Sequence, residues 1–356
     1  MVAYIRSIGI ISPQPCRGEN ELMNLKVPIN ERYFRAIEPN YEDWLNARSL
    51  RRMSRILKMG VTSAVMALKD AGIDQPDAII TGTGYGCLED TGTFLSTMIS
   101  NDEISLNPTP FIQSTHNSIG SAVALLYDCR NYNQTYSQGP VSFECSVMDA
   151  LLLIREKSAS LCLVGAIDEL TETSISIFES VKKISSRNKN SIAVAGDAEH
   201  VNSSCVLSNG EGAAYFVLSA DKSEGDCSCI VDVKTLFEPD PDQLKNSVSE
   251  FLSQNKLNAS DIDLVLSGFG GITEDHELPD NTEQFFPQSS LGYFKQLCGE
   301  YHSASAFAVW LASRMISEQF IPENILIRNC NRRPKSIVVF NQSGGSYYSL
   351  ILVQEC

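Results

Sequence analysis

The stretch TYSQGPVSFECSVMDALLLI, Thr135 to Ile154, holds the residue types and spacing that could do chemistry. A short apolar strand is expected to end near Thr135. Gly139-Pro140 then opens a segment with apolar residues at Val141, Val147, Ala150, Leu151 and Ile154, a helical spacing. Strand, tight glycine turn and helix make the elbow on which enzymes often mount a nucleophile, because a helix N-terminus stabilises a thiolate or an oxyanion. The thiol nearest this elbow is Cys145, about five residues into the helix and more than one turn from its start. With Phe143 and Val147 around it, Cys145 reads first as a packed core thiol and second as an alternative nucleophile. Ser142 and Ser146 as nucleophiles would need a base, and the sequence places no histidine beside them.

Three further groups bear on chemistry. Glu300 could serve as a general base if burial raised its pKa; the plainer reading is a hydrogen-bonded carboxylate at a helix N-terminus. His116, in STHNSIG, reads as a structural histidine in preference to a catalytic one. Arg51, Arg52, Arg55 and Lys58 form one basic cluster whose spacing puts several on one helix face, either as a solvated face or as a dock for an acidic partner. Gly82-x-Gly84-x-Gly86 misses the dinucleotide-binding spacing, so close backbone approach at a strand end is the expectation.

These groups sit on a chain of 356 residues with 43% hydrophobic and 20% charged content, ordinary for a globular protein. Its net charge of −15 argues against nucleic acid or an anionic membrane surface as partner. The eleven cysteines are mostly solitary, several lie in apolar runs, and no C-x-x-C occurs. They imply a reducing cytoplasm and no metal site. No apolar run is long enough to span a membrane, and the N-terminus has no signal-peptide pattern.

The elements that must position the elbow alternate along the chain. VAYIRSIGIISP is an opening strand, and NARSLRRMSRILKMGVTSAVMALKDAGI is one helix stopped by Gly72. DAIITGTGYG is a buried strand, HNSIGSAVALLYDC a helix, and SASLCLVGAIDEL a strand. The polar residues 183–204 read as a long surface loop and CVLSNGEGAAYFVLSA as a hairpin. Strand and helix in this order argue for a parallel or mixed sheet covered by helices. The second half echoes the first: AIITGTGYGCLEDT with LVLSGFGGITEDH, and LSNGEGAAYFVLSA with FNQSGGSYYSLILV.

Several segments together resemble the ketosynthase branch of the thiolase-fold superfamily. They are SIGIISP (Ser7–Pro13), LKMGVTSAVMALKDAGI (Leu57–Ile73), NPTPFIQSTHNSIGSAVAL (Asn107–Leu125), CLVGAIDE (Cys162–Glu169), NGEGAAYFVLS (Asn209–Ser219) and NQSGGSYYSLILV (Asn341–Val353). The resemblance implies a five-layered αβαβα fold of two pseudo-repeated halves, 1–222 and 223–356. It also implies a family chemistry: decarboxylative condensation on a cysteine, assisted by two histidines, with the acyl chain delivered on a carrier protein's phosphopantetheine and no resident cofactor. Carried over by position, the catalytic set is missing. Counting back from LVGAIDE puts Pro140 at the nucleophile position, with Gly139, Gln138 or Ser142 a residue or two away; Phe269 and Glu300 fall where the histidines belong. His302 and His276 are offset from those positions.

The chain therefore looks like a chain-length-factor-type partner that pairs with an active ketosynthase. It is similar in its Phe111–Gly120 and Ser142–Ala150 segments to ketosynthase-like proteins of aryl-polyene and flexirubin-type pigment clusters. Gln138, His116, Asn117 and Phe111 are then candidates for the acyl tunnel or the subunit interface, and the basic cluster for docking an acidic carrier protein. The alternatives are an enzyme with a rewired site, using Glu300 with Cys145 or a serine, and a homodimeric acyl-binding scaffold.

Overall fold

The computed structural model describes residues 2–18, 20–28, 31–104, 106–180, 208–268 and 282–356. The expected surface loop at 183–204, Phe269 and His276 lie outside the described residues.

The first half lays down β1 (Ala3–Ile11), β2 (Tyr33–Phe34), β3 (Ala78–Gly82), β4 (Tyr132–Tyr136), β5 (Leu161–Asp168), β6 (Asn209–Gly210) and β7 (Gly212–Ser219). The second half lays down β8 (Ser228–Phe237), β9 (Leu264–Ser267), β10 (Ser290–Tyr293), β11 (Leu326–Arg328), β12 (Ser336–Ser343) and β13 (Tyr347–Glu355). Eleven of these strands form one sheet in the order β11-β10-β9-β12-β13-β8-β1-β7-β5-β3-β4. Its two leaves repeat one pattern. In the first, β7 runs antiparallel to both β1 and β5, and β5, β3 and β4 run parallel. In the second, β8, β13 and β12 are antiparallel and β12, β9 and β10 run parallel. Among the described residues, Ala3 with Ile230 and Tyr4 with Cys229 pair the leaves, through β1 and β8. The repeat seen in the sequence is thus a repeat of topology.

Helices complete the five layers. The first half carries α1 (Ala47–Leu50), α2 (Arg55–Ala71), α3 (Leu88–Ser100), α4 (Pro108–Gln113), α5 (Ser118–Leu126), α6 (Ser142–Arg155) and α7 (172–180). The second carries α8 (Pro241–Gln254), α9 (Thr282–Phe285), α10 (Lys295–Cys298) and α11 (Ala304–Glu318). α2 packs with α5 on the outer face of the first leaf, and α8 covers the outer face of the second. α6 and α11 fill the space between the leaves with Phe143, Val147, Phe307 and Trp310, all fully buried. Burying such a side chain stabilises the fold by roughly 1.5–3 kcal/mol. α11 is apolar nearly all round, as a helix enclosed between two sheets must be.

Two sequence expectations are corrected. The single helix expected over 47–73 is two, because the chain turns at Arg51–Arg52 and restarts with Ser54, in extended conformation, as the N-cap of α2. Among the described residues, the segment expected as a hairpin from Cys205 shows no hairpin pairing. β6 pairs with β2, and β7 runs between β1 and β5. The matching segment at the end of the chain, β12–β13, is a true hairpin.

Candidate functional site

The elbow is built as its sequence suggested, with the turn at Gly139. β4 ends at Tyr136, a single 3-10 turn covers Gly139–Val141, and α6 starts at Ser142. The left-handed residue is Gly139, with φ of 54°. Glycine takes this conformation without the penalty other L-residues meet. A Cβ built on Gly139 would meet nothing within 4 Å, so the turn faces open space with no side chain on it. Pro140, the position reached by counting, is buried one step further on. Gln138 precedes the turn and is exposed.

Ser142 is fully buried and spends its hydroxyl on the backbone. It accepts from Gln138 N at 2.9 Å and lies within donor reach of Gly139 O (2.7 Å) and Thr83 O (3.0 Å). It pins the turn against the loop after β3, and among the described residues its hydrogen bonds go only to backbone. Cys145 is half-buried, and burial raises its thiol above the ordinary value, which makes it a poorer nucleophile. Its neighbours are Glu144 on the same helix and Tyr136 on β4. Glu144 itself is wholly buried between α6 and β13. One carboxylate oxygen accepts from Ser349 Oγ at 2.7 Å, and burial raises its pKa.

Glu300 departs from its sequence reading. It lies ahead of α11, bridged to Asn209, and its carboxylate does not cap that helix. Oε2 is 2.6 Å from the Nζ of Lys295, a lysine whose side chain is 1% exposed, and Oε1 accepts from Ser343 Oγ at 2.8 Å. Lys295 also donates to Gln342 O at 2.6 Å. A carboxylate so engaged is an ion-pair partner first.

A cavity of about 210 Å³ opens beside this pair, lined by Glu300, Tyr301 and His302 on one side and Tyr85, Asp168 and Glu169 on the other. Counting along the sequence leaves His302 offset from the family's histidine position. It precedes α11, stacks on Tyr85 at 4.4 Å between ring centroids, and rests on Gly84, where any Cβ would strike the imidazole. Asp168 ties the cavity walls together. It accepts from Gly84 N (2.8 Å), Ser303 N (3.0 Å) and Ser303 Oγ (2.8 Å), joining the ends of β5, β3 and α11. Glu169 is buried and accepts from Glu89 N at 3.0 Å, while its second carboxylate oxygen has no hydrogen-bond partner. Burial pushes its pKa up to about 7. Lys295, Asp168 and Glu169 were not among the residues singled out from sequence. The acidic pair ending CLVGAIDE was the available signal.

The basic cluster divides. Arg55 grips the fully buried Glu211 with two bonds of 2.6 and 2.7 Å, and Glu211 also accepts from Ala36 N and Leu170 N. Arg55 is therefore a structural ion pair. Arg51 and Arg52 are exposed on the turn before α2, and Lys58 is half-buried on α2, so the four do not share one helix face.

His116, Asn117 and Phe111 lie on the exposed side of α4 and the α4–α5 connection. His116 packs on Gly86, and Phe111 stacks on Phe94 at 5.1 Å. Near them the surface is apolar. Leu125 is 84% exposed and Ile112 65% exposed, with Met148 and Leu152 of α6 also uncovered. β4 forms the end of the sheet on this side.

Among the described residues no group of three or more His, Cys, Asp or Glu could hold a metal ion, and no helix is long and apolar enough to cross a membrane.

Two leaves repeated about central helices, with a strand–turn–helix elbow between β4 and α6, define a thiolase-like fold. The chain belongs to the β-ketoacyl synthase family: the family's N-terminal-domain model matches residues 23–223. Solved structures agree in fold over the whole length. The ishigamide ketosynthase/chain length factor aligns at TM-score 0.78 and 15% identity, over 99% of this chain and 98% of that one. A β-ketoacyl synthase from Burkholderia phymatum STM815 aligns at 0.79 and 17%, over 100% and 99%. A ketosynthase in complex with its chain length factor, from Xenorhabdus doucetiae, aligns at 0.74 and 12%, over 100% and 98%. No curated protein sequence matches this chain.

Proposed function

We propose that this chain is a non-catalytic, chain-length-factor-type subunit that pairs with an active ketosynthase in the elongation of a carrier-bound acyl chain. The observation that carries the reading is the elbow: its left-handed turn residue is Gly139, and the hydroxyl beside it, Ser142, is committed to backbone. Such an elbow keeps the shape of a nucleophile mount and holds nothing that can take an acyl group. The thiol and histidines would come from the partner. The apolar surface around β4, with Leu125, Leu152, Phe111 and His116, is the face such a partner would cover. Gln138, exposed beside the turn, and Asn117 fit the tunnel and interface roles suggested by sequence.

The acyl chain would arrive on phosphopantetheine of an acidic carrier protein, and the reading assigns no resident cofactor. Arg51 and Arg52 are the exposed members of the cluster that could meet such a carrier, with Lys58 behind them. The setting fits a cytoplasmic pathway of the aryl-polyene type.

One observation favours a second reading, an enzyme with a rewired site. Glu169 titrates near neutrality on the wall of a cavity shared with His302, as an acid–base pair would require. One experiment separates the two: incubate the purified chain alone with acyl- and malonyl-carrier protein and read its intact mass and products. No adduct and no turnover are expected, with condensation appearing when an intact ketosynthase is co-purified. An acyl adduct lost on Cys145→Ala or Ser142→Ala, or turnover lost on Glu169→Gln, would overturn the non-catalytic reading.

A further inference from the structure

Most described cysteines are buried, among them Cys16, Cys87, Cys162, Cys229 and Cys298. Cys227 is exposed and Cys356 half-buried, and the sheet brings these two together. β8 and β13 pair antiparallel with Glu355 opposite Ser228 and Gln354 opposite Cys229. The next step of that register sets Cys356 opposite Cys227, and Cys356 N donates to Cys227 O at 3.2 Å. Residues directly opposite in an antiparallel pair project to the same face, and a hydrogen-bonded pair has Cα atoms about 5.5 Å apart, within the span a disulfide bridges. The thiols also sit over one turn: Cys227 Sγ lies 3.4 Å from Gly225 O, and Cys356 Sγ lies 3.2 Å from Asp226 O. Cys227 lines an open, polar cavity of about 330 Å³ together with Arg17, Gly225 and Ser228, so a small reagent can reach it.

We propose that Cys227 and Cys356 are a paired-thiol modification site that closes to an intramolecular disulfide when the protein meets a peroxide. The chemistry balances without help from the site above. Peroxide oxidises the Cys227 thiol to a sulfenic acid and leaves as water; the Cys356 sulfur then attacks that sulfur, the S–S bond forms and a second water departs. The bridge lies at the far end of β13 from the elbow. Tyr347, near the elbow, and Glu355, beside the pair, are separated by most of the strand, about 27 Å at the usual rise. Closing it fastens the end of β13 to the start of β8 and leaves the cavity lined by Glu300 and His302 in place.

The test uses the full chain, reduced, desalted and treated with hydrogen peroxide, followed by alkylation and non-reducing peptide mapping. The expected product is a monomer that has lost two hydrogens, with peptides holding Cys227 and Cys356 linked. Cys227 and Cys229 share a tryptic peptide, so variants assign the sulfur: Cys227→Ser should abolish the link and Cys229→Ser should keep it. Should Cys229→Ser misfold, fragmentation of the linked wild-type peptide assigns the sulfur instead. Oxidation should raise the unfolding midpoint of the wild type and leave Cys227→Ser unchanged. A link that survives in Cys227→Ser, a link only between chains, or sulfinic acid at Cys227 with no link would each overturn the proposal.

Discussion

The two leaves of the sheet repeat the same five-strand pattern, yet they end differently. In the second leaf β10, the counterpart of β4, is covered by a further antiparallel strand, β11. That strand is three residues long, its register shifts at Gly292, and Arg328 fixes it by donating to Phe286 O and Ser289 O. In the first leaf nothing comparable covers β4 among the described residues, and the helices beside it expose Leu125, Met148 and Leu152. A bare edge beside apolar side chains is a liability that proteins blunt unless something pairs with it. The difference teaches that one repeated pattern leaves two unlike edges, one closed within the chain by β11 and one that the proposed partner would cover.

The strongest way to break this comparison is to make the open edge unpairable. Gln134→Pro in β4, or Leu125→Asp beside it, should weaken association with a co-expressed ketosynthase by about 100-fold or more, the scale of an interface hot spot. Sedimentation or pull-down reads this, and the unfolding midpoint of the isolated chain should barely move for Leu125→Asp. Undiminished association would mean that the edge is not the interface.

A second test concerns pH and is next in size. Glu169 is raised from 4.5 to about 7 in the folded chain, so it holds a proton that the unfolded chain releases. Folding stability should therefore be highest at or below pH 4.5 as far as this group is concerned. It should fall as pH rises towards 7, by up to about 3 kcal/mol, and be level above that. Denaturant titrations of Glu169→Gln across this window should lose that slope.

At the closed edge, Arg328→Ala should cost about 2 kcal/mol of stability by removing charge-assisted bonds to two carbonyls. Unlike the β4 substitutions, it should leave association intact. Loss of association instead would erase the distinction between the edges. The smallest effect belongs to the elbow itself: Ser142→Ala should cost about 1 kcal/mol and change no activity, since the hydroxyl serves only the backbone.

Much of this architecture was legible in the sequence because it rests on local signals. The apolar strands leaving through glycines, the stop at Gly72 and the elbow are set by backbone chemistry that residue type reports directly. The topological repeat was legible because both copies kept their strand ends. What was missed depended on contacts distant in sequence. Arg55 looked like part of a surface cluster because Glu211, its buried partner, is 156 residues away. His302 looked displaced because the helix that seemed to carry it starts later, at Ala304. Glu300 read as a capping carboxylate because Ser343 and the burial of Lys295 cannot be seen along the chain. The turn falls at Gly139, as the glycine itself signalled, whereas counting to Pro140 carries no torsion angle.

Gly139 also sets the terms on which a side chain could stand at this turn. An elbow that carries a side chain must hold that residue in a left-handed conformation, at a cost of about 1–2 kcal/mol. With glycine there, that debt has lapsed, while the space ahead of the turn is still vacant. Gly139→Cys would thus be sterically welcome and conformationally taxed. On the non-catalytic reading proposed above, placing a thiol at this turn is a matter of modest strain, whereas catalysis would also need proton carriers where Glu300 and Lys295 pair with one another.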